Sequence, residues 1–160
     1  MEVKAKQVYA HGVEAVFKSF GTKAKIEQKF TAMGARNIEF ETCKLTKTSL
    51  DVVMSREIPV DAPALLKKFI GDWNFTTQEE HWKGSAAKGY ECDMEVSIKG
   101  VPVTITGRLV LTGDAEKCVN DVTMTFESGI PLVGKKLAEF VGNMAAGDME
   151  KEYNFIKDNV

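Results

Sequence analysis

The chain is short of the residues that would hold a small fold together covalently or through a metal. It has three cysteines, Cys43, Cys92 and Cys118, and two histidines, and these residues form no C-x-x-C pair and no cluster. An odd number of widely spaced cysteines fits reduced thiols better than a disulfide framework or a zinc site. We therefore expect no metal and no cofactor. A chain of 160 residues can bury enough apolar surface to fold on packing alone.

Long apolar runs and an excess of charge are also missing. No stretch approaches the roughly 18 apolar residues of a membrane span, and the first residues, MEVKAKQVYAHGVEAVF, carry charges where a signal peptide would be apolar. The net charge is −2, which is not the concentrated basic surface that nucleic acid requires. These absences predict a cytoplasmic protein with no integral membrane segment and no nucleic-acid partner. They leave open whether it has a protein partner.

The longest helical pattern lies at the end of the chain, in residues 130–160. Leu137, Phe140, Val141 and Met144 recur there at the spacing that places side chains on one helix face. Pro131 is expected in the first turn of this helix, where its missing N–H costs little. The apolar face of such a helix must pack against another element.

The rest of the chain reads mainly as strands. One strand is predicted in residues 3–10, followed by two short helices separated by Gly21, and then by about six strands between residues 37 and 127. Residues 61–70 predict a further short amphipathic helix, either a lid or, more simply, a packed connector. Successive hairpins make the sheet antiparallel. We therefore predict one α+β domain, residues 1–160, in which a curved antiparallel sheet of about seven strands wraps around the C-terminal helix.

Alternation within the strands assigns a set of apolar side chains to the sheet face under the final helix. The inward faces of residues 73–82 are not assigned by the pattern. The inward set either lines an apolar pocket or packs a solid core, and the residues alone favour the core. Its members are Leu50, Val52, Met54, Tyr90, Cys92, Met94, Ile105, Leu109, Met124 and Phe126.

Four further residues interrupt these apolar patterns. Arg56 continues the inward phase, so it either holds a ligand carboxylate or, as we expect, extends to water. Asp148 interrupts the final helix and lies at the pocket mouth, in a pair with Arg56, or at the helix edge, which the pattern favours. Gly142 and Gly147 each destabilise a helix by about 1 kcal/mol relative to alanine. Their presence indicates either contact with a ligand or a kink that opens the cavity, or else close packing on the sheet or a cost that the fold simply tolerates.

Five short phrases occur in a fixed order along nearly the whole chain. They are FTAMGA at 30–35, REIP at 56–59 with Pro63, EHW at 80–82, KGVP at 99–102, and IPLVGKKL at 130–137. In this order they resemble the START-like helix-grip superfamily, which includes birch-pollen-allergen-type and polyketide-cyclase-like proteins. Within it the chain is most similar to a small bacterial family known only as a domain of unknown function. The resemblance implies a helix-grip fold and the binding of lipids or other apolar molecules between sheet and helix. It assigns no catalytic residues.

Three functions follow from these patterns and the resemblance. The first is binding or transport of a hydrophobic or amphipathic small molecule, such as a lipid, in a cavity under the C-terminal helix. The second is a cyclase- or dehydratase-type enzyme acting on a polyketide-like substrate, which requires His81, Tyr90, Arg56 and Asp148 to converge. The third is a protein-interaction module, which requires a large exposed apolar patch.

Overall fold

A computed structural model describes residues 1–160 and has the predicted α+β architecture. Two short helices follow the first strand, and one long helix ends the fold. The elements are β1 (Glu2–Tyr9), α1 (Val13–Phe20), α2 (Lys23–Ala32), β2 (Arg36–Leu45), β3 (Ser49–Pro59), β4 (Trp73–Ser85), β5 (Gly89–Ile98), β6 (Thr104–Gly113), β7 (Cys118–Glu127) and α3 (Gly134–Asp158). None of the helices is long and apolar enough to cross a membrane.

All seven strands belong to one antiparallel sheet with the order β1-β7-β6-β5-β4-β3-β2. Consecutive strands from β2 to β7 are antiparallel neighbours, and β7 also pairs with β1. The register of β2 against β3 shifts between Arg36 and Glu39 and again between Phe40 and Thr42. Such irregularities move the following side chains to the other face, which explains why the sequence of β2 alternates imperfectly.

The sheet has one buried and one exposed face, as the alternation predicted. On β5, Tyr90 and Cys92 are buried, whereas Glu91 and Asp93 are exposed and pair with Arg108 of β6. The ten apolar residues predicted to point inward are buried or, for Met94 alone, partly buried. The inward phase of these strands is therefore confirmed.

The long helix α3 begins at Gly134, later than the predicted start near Pro131. Leu132 has a φ angle of 68°, in the left-handed region, and its side chain is fully exposed. A left-handed residue interrupts a right-handed helix, so the first turn forms only after it. From Gly134 the helix runs without interruption for 25 residues, and Leu137 and Val141 are buried against the rest of the fold.

The predicted short helix in residues 61–70 is wrong, since this segment forms a series of turns. Leu66 and Ile70 are buried, and their backbone N–H groups donate to Pro63 and Leu66. A helix of this length has few internal hydrogen bonds to offset the cost of nucleation, and prolines limit it further. The segment is a connector between β3 and β4 held by its own buried side chains.

Aromatic side chains fill the end of the sheet that lies under α1. Phe17 stacks on Tyr90 with ring centroids 3.6 Å apart and meets Trp82 edge-on at 6.1 Å. Phe20 lies against both Tyr9 and Trp82. Because Tyr9, Trp82 and Tyr90 are almost completely buried, this end of the molecule is solid.

Candidate functional site

A cavity of about 600 Å³ lies between the sheet, α2 and α3. Of its 41 lining residues, 25 are hydrophobic, so most of its wall is apolar. The interior is therefore not the solid core that the residues alone favoured. The predicted site residues on its wall are Val52, Met54, Arg56, Met94, Ile105, Leu109, Met124, Phe126, Phe140, Val141, Met144 and Asp148.

Methionine is the most distinctive component of the apolar wall. The chain has seven methionines, and all except Met1 line the cavity: Met33, Met54, Met94, Met124, Met144 and Met149. Methionine is unbranched and polarizable, and it adapts its shape to what it contacts. A wall of this composition fits apolar molecules of differing shape.

Four of the predicted site residues do not line the cavity, and that part of the prediction is wrong. Leu50, Tyr90 and Cys92 lie in the solid end under α1, and Leu137 is completely buried near the start of α3. The Tyr90 hydroxyl donates to the carbonyl of Lys47 at 2.9 Å, away from the cavity. The alternation of Leu50, Tyr90 and Cys92 was predicted correctly, but α1 fills the space above these three residues.

A polar row crosses the apolar wall from β3 to β4. Arg56 Nη2 donates to Gln78 Oε1 at 2.9 Å, and Gln78 Nε2 donates to Glu80 Oε1 at 2.5 Å. The other carboxylate oxygen of Glu80 accepts a hydrogen bond from Trp82 Nε1 at 2.8 Å. The carboxylate of Glu80 is therefore held on both oxygens by neutral donors.

Arg56 is buried, with 7% of its surface exposed, so the expectation that it extends to water is wrong. Its Cζ atom lies 3.8 Å from the centroid of the Phe30 ring. Two of its nitrogens, Nε and Nη1, have no hydrogen-bond partner. Burial lowers the pKa of Arg56, and the negative charges of Glu152, Glu80 and Asp148 act in the opposite direction. An arginine still remains charged under these conditions.

A second polar group on the cavity wall comes from β1 and β7. Gln7 Oε1 accepts hydrogen bonds from Asn120 Nδ2 at 3.0 Å and from the Tyr9 hydroxyl at 3.2 Å. Asn120 is 2% exposed, and its Oδ1 has no partner. Burial raises the pKa of Tyr9, so its hydroxyl stays protonated. This part of the wall is polar but uncharged.

The cavity reaches the surface between α2 and the C-terminal half of α3, where its lining residues are polar and partly exposed. Lys29 Nζ lies 2.8 Å from Glu152 Oε2 and joins the two helices. Asp148 is partly exposed and pairs with Lys151 at 3.2 Å. Asp148 therefore lies at the helix edge and also at the opening of the cavity, and its ion pair is with Lys151 rather than with Arg56.

The four residues of the enzymatic hypothesis do not converge. His81 lies on the outer face of β4, half exposed, with Nδ1 2.9 Å from Asp51 Oδ1. Tyr90 points away from the cavity, and only Arg56 and Asp148 lie on its wall. The structure therefore assembles no acid–base group from this set.

Sequence reasoning missed the inward polar residues of β4. Asn74, Thr76, Gln78 and Trp82 are buried, whereas Trp73 and Phe75 on the other face are exposed. This polarity is the reverse of that of an ordinary half-buried strand. The hairpin register with β3 could have resolved it, because Met54 pairs with Gln78 and directly paired residues share a face. No comparable sequence signal identifies four other polar residues of the cavity wall, which are Gln7, Lys29, Asn120 and Glu152.

Solved structures share this fold at low sequence identity. TTHA0849 from Thermus thermophilus has a TM-score of 0.63 and 15% identity, covering 99% of this chain and 95% of that one. A START superfamily protein from Mycobacterium smegmatis has a TM-score of 0.60 and 9% identity, covering 99% and 96%. Ara h 8.0201 has a TM-score of 0.61 and 10% identity, covering 99% of both chains.

Sequence comparison gives a family-level match. The family described as "Protein of unknown function (DUF2505)" matches residues 4–160. The chain matches none of the curated proteins. The structural similarities, at these identities, establish the START-like fold that the sequence phrases predicted.

Proposed function

Because the chain belongs to the DUF2505 family and has a START-like helix-grip fold, we propose that it binds or transports an apolar or amphipathic small molecule. The ligand is lipid-like and occupies the cavity between the sheet and α3. Neighbouring structures with this fold include a START superfamily protein, which supports a ligand-binding use of the fold.

The observation that carries this proposal is the predominantly apolar cavity itself. Its volume of about 600 Å³ lies within the range of small-molecule sites, roughly 300–1,000 Å³. Protein interiors are otherwise close-packed, and an apolar void loses dispersion contacts on every side. A bound apolar ligand restores those contacts. The methionines of the wall allow the cavity to fit around it.

The fold positions this cavity by combining a filled end with an open one. Aromatic packing under α1 closes the end of the interior beside Trp82. At the other end, the C-terminal half of α3 covers the cavity but does not fill it. The partly exposed residues of α2 and α3 form the route to solvent. An amphipathic ligand can therefore place its apolar part against Met54, Met94 and Met124.

Two measurements test the binding proposal. Native mass spectrometry of freshly purified protein is expected to show an added mass that disappears on denaturation. Protein stripped of lipid is then titrated with the uncharged dye N-phenylnaphthylamine, which fluoresces in apolar surroundings. We expect saturable binding at one site. Absence of both a copurified molecule and dye binding would contradict the proposal.

A matched pair of variants locates the binding. Ala145 lines the cavity, whereas Ala146, the next residue of α3, does not. We expect Ala145→Trp to place an indole in the cavity and to weaken dye binding by about tenfold or more, equivalent to about 1.4 kcal/mol. Ala146→Trp should leave the affinity nearly unchanged. Equal effects of the two substitutions would place the dye elsewhere.

We also propose that the protein works in the cytoplasm. The three cysteines are free, and two of them, Cys92 and Cys118, are buried. Unpaired thiols are typical of a reducing compartment. Fractionation of cells that express the full-length protein tests this location, and recovery from an oxidising compartment would contradict it.

A further inference from the structure

Arg56 is a buried cation whose hydrogen-bonding groups are largely unused. A guanidinium has five N–H donors. Within the protein, Gln78 Oε1 accepts one hydrogen bond from Nη2, while Nε and Nη1 have no partner. Buried polar side-chain atoms nearly always have partners, so an exception of this kind on a cavity wall indicates a missing one.

The three carboxylates that act electrostatically on Arg56 are each bound to another residue. Glu80 accepts from Gln78 and Trp82, Glu152 pairs with Lys29, and Asp148 pairs with Lys151. These carboxylates stabilise the positive charge from a distance but leave it without a direct ion pair. The Phe30 ring covers one face of the guanidinium and adds a cation–π contact.

An isolated buried charge is unfavourable unless a partner of opposite charge joins it. In this cavity the partner can come from the ligand. We propose that the protein binds long-chain monocarboxylates, with the carboxylate on Arg56 and the alkyl chain along the apolar wall. This inference rests on the proposed function and specifies the chemical class of the ligand.

The surroundings of Arg56 favour a carboxylate over a phosphate. A carboxylate is planar, carries one negative charge and can accept two N–H bonds from one guanidinium. A phosphate monoester brings close to two negative charges. Arg56 is the only buried cation of the cavity wall, and Glu80, Glu152 and Asp148 lie near enough to repel the second charge.

The test compares ligands that differ only in their head group. Competition titrations measure how well each of three ligands, dodecanoate, dodecanol and dodecyl phosphate, displaces N-phenylnaphthylamine from lipid-free protein. The pH is about 8, where the carboxylic acid is ionised. We expect dodecanoate to bind at least about tenfold more tightly than dodecanol, because only the carboxylate neutralises the guanidinium charge and can accept two of its N–H bonds. Dodecyl phosphate should bind more weakly than dodecanoate.

Substitution of Arg56 should remove this preference selectively. Arg56→Met keeps a flexible side chain but no charge. Dodecanoate and dodecanol should then bind with affinities within about twofold of each other, while the dye still binds. Arg56→Lys keeps the charge but not the planar fork, and it should retain a reduced preference. Arg108→Met, on the exposed outer face, is the matched control and should change none of these affinities.

The outcomes separate the two proposals. If the dye binds but wild-type protein does not prefer dodecanoate, or if Arg56→Met keeps the preference, the carboxylate inference is wrong and the cavity proposal stands. Tighter binding of dodecyl phosphate would also overturn the assignment of a monocarboxylate. If wild-type protein binds neither dye nor any of the three ligands, the proposed function fails and this inference fails with it.

Discussion

Lys29 of α2 and Glu152 of α3 form an ion pair, with Nζ 2.8 Å from Oε2, across the gap where the cavity reaches the surface. Their side chains are only 12% and 26% exposed, so solvent screens the pair less than it screens a typical surface pair. Lys29 also lies 4.4 Å from the centroid of the Phe30 ring, next to Arg56. This contact therefore joins the two helices that border the opening of the cavity.

We predict that Glu152→Gln increases the rate at which a bound ligand leaves the cavity. Loss of an ion pair of this kind costs up to about 1 kcal/mol, which corresponds to a rate increase of about fivefold. Stopped-flow release of N-phenylnaphthylamine into excess lipid vesicles measures it. The uncharged dye avoids any direct effect of the lost charge on Arg56.

Glu150→Gln provides the control for this experiment, because Glu150 is exposed on the same helix and does not line the cavity. The control should release the dye at the wild-type rate. If Glu152→Gln and Glu150→Gln behave alike, the ion pair does not restrict passage between α2 and α3.

We predict that Arg56→Met does not destabilise the ligand-free protein. Replacing a buried charged group by an apolar one of similar size is often neutral or stabilising, by about 1–4 kcal/mol. The free energy of unfolding from denaturant titration of lipid-free protein checks this. Arg108→Met, which loses exposed pairs with Asp93 and Glu91, should lower it by at most about 1 kcal/mol. A large loss of stability in Arg56→Met would show that Arg56 supports the fold itself.

The two glycines within α3 should respond differently to alanine. A Cβ atom at Gly147 meets nothing within 4 Å, so Gly147→Ala should raise the free energy of unfolding by about 1 kcal/mol and the melting temperature by about 2–4 °C. A Cβ atom at Gly142 lies 2.6 Å from Met1 Sδ and 3.3 Å from Phe126 Cδ2. Gly142→Ala should therefore raise the free energy of unfolding by less than Gly147→Ala does, or lower it.

Thermal unfolding of both glycine variants at one pH measures the difference. Equal stabilisation by the two substitutions would contradict the tight packing of Gly142 against Met1 and Phe126. In the structure α3 continues as one helix through both glycines, and neither glycine lines the cavity. Close packing against Met1 and Phe126 thus explains the glycine at position 142. At position 147 a Cβ atom would meet no other atom within 4 Å, so the fold tolerates a glycine there without requiring one.

We predict a loss of stability above pH 9 that depends in part on Cys118. Burial, assisted by the charge of Asp114, raises the pKa of this thiol from its ordinary value of 9.0 to about 11. Between these values the folded state binds more protons than the unfolded state, so the free energy of unfolding falls as pH rises. The contribution is complete below about pH 9 and is lost on approaching pH 11.

Denaturant titrations across this pH range compare wild type with Cys118→Ala, whose stability should fall less steeply. Cys43→Ala is a second variant of the same kind, since burial also raises the pKa of this partly buried thiol. Identical slopes for wild type and Cys118→Ala would show that the thiol does not titrate differently in the two states.

Most of the fold was predictable because it depends on local patterns. Alternation on β3, β5, β6 and β7 assigned the inward side chains, and the helical spacing of Leu137, Phe140, Val141 and Met144 identified α3. The errors occurred where a local rule competed with another effect. The segment 61–70 has helical spacing but is too short and too constrained by proline, and Leu132 delays the start of α3.

The candidate site was predictable in its apolar part and not in its polar part. Periodicity detects apolar residues, and it placed Val52, Met54 and Met124 on a shared face. It carries no information about side chains that face inward although they are polar, such as Gln78 and Asn120. Such residues are stable there because the neighbouring strand supplies a partner: Gln78 pairs with Arg56, and Asn120 with Gln7.

The sequence by itself determined the α+β class, the antiparallel order, the inward phase of the apolar strands and the likeness to START-like proteins, because each follows from the spacing or order of residues along the chain. Only the tertiary structure decided that the interior is partly open. Whether a set of inward side chains fills a space depends on how far apart the packed elements lie. Here α1 fills the end of the interior beside Tyr90, while α2 and α3 lie far enough from the sheet near Arg56 to leave a cavity.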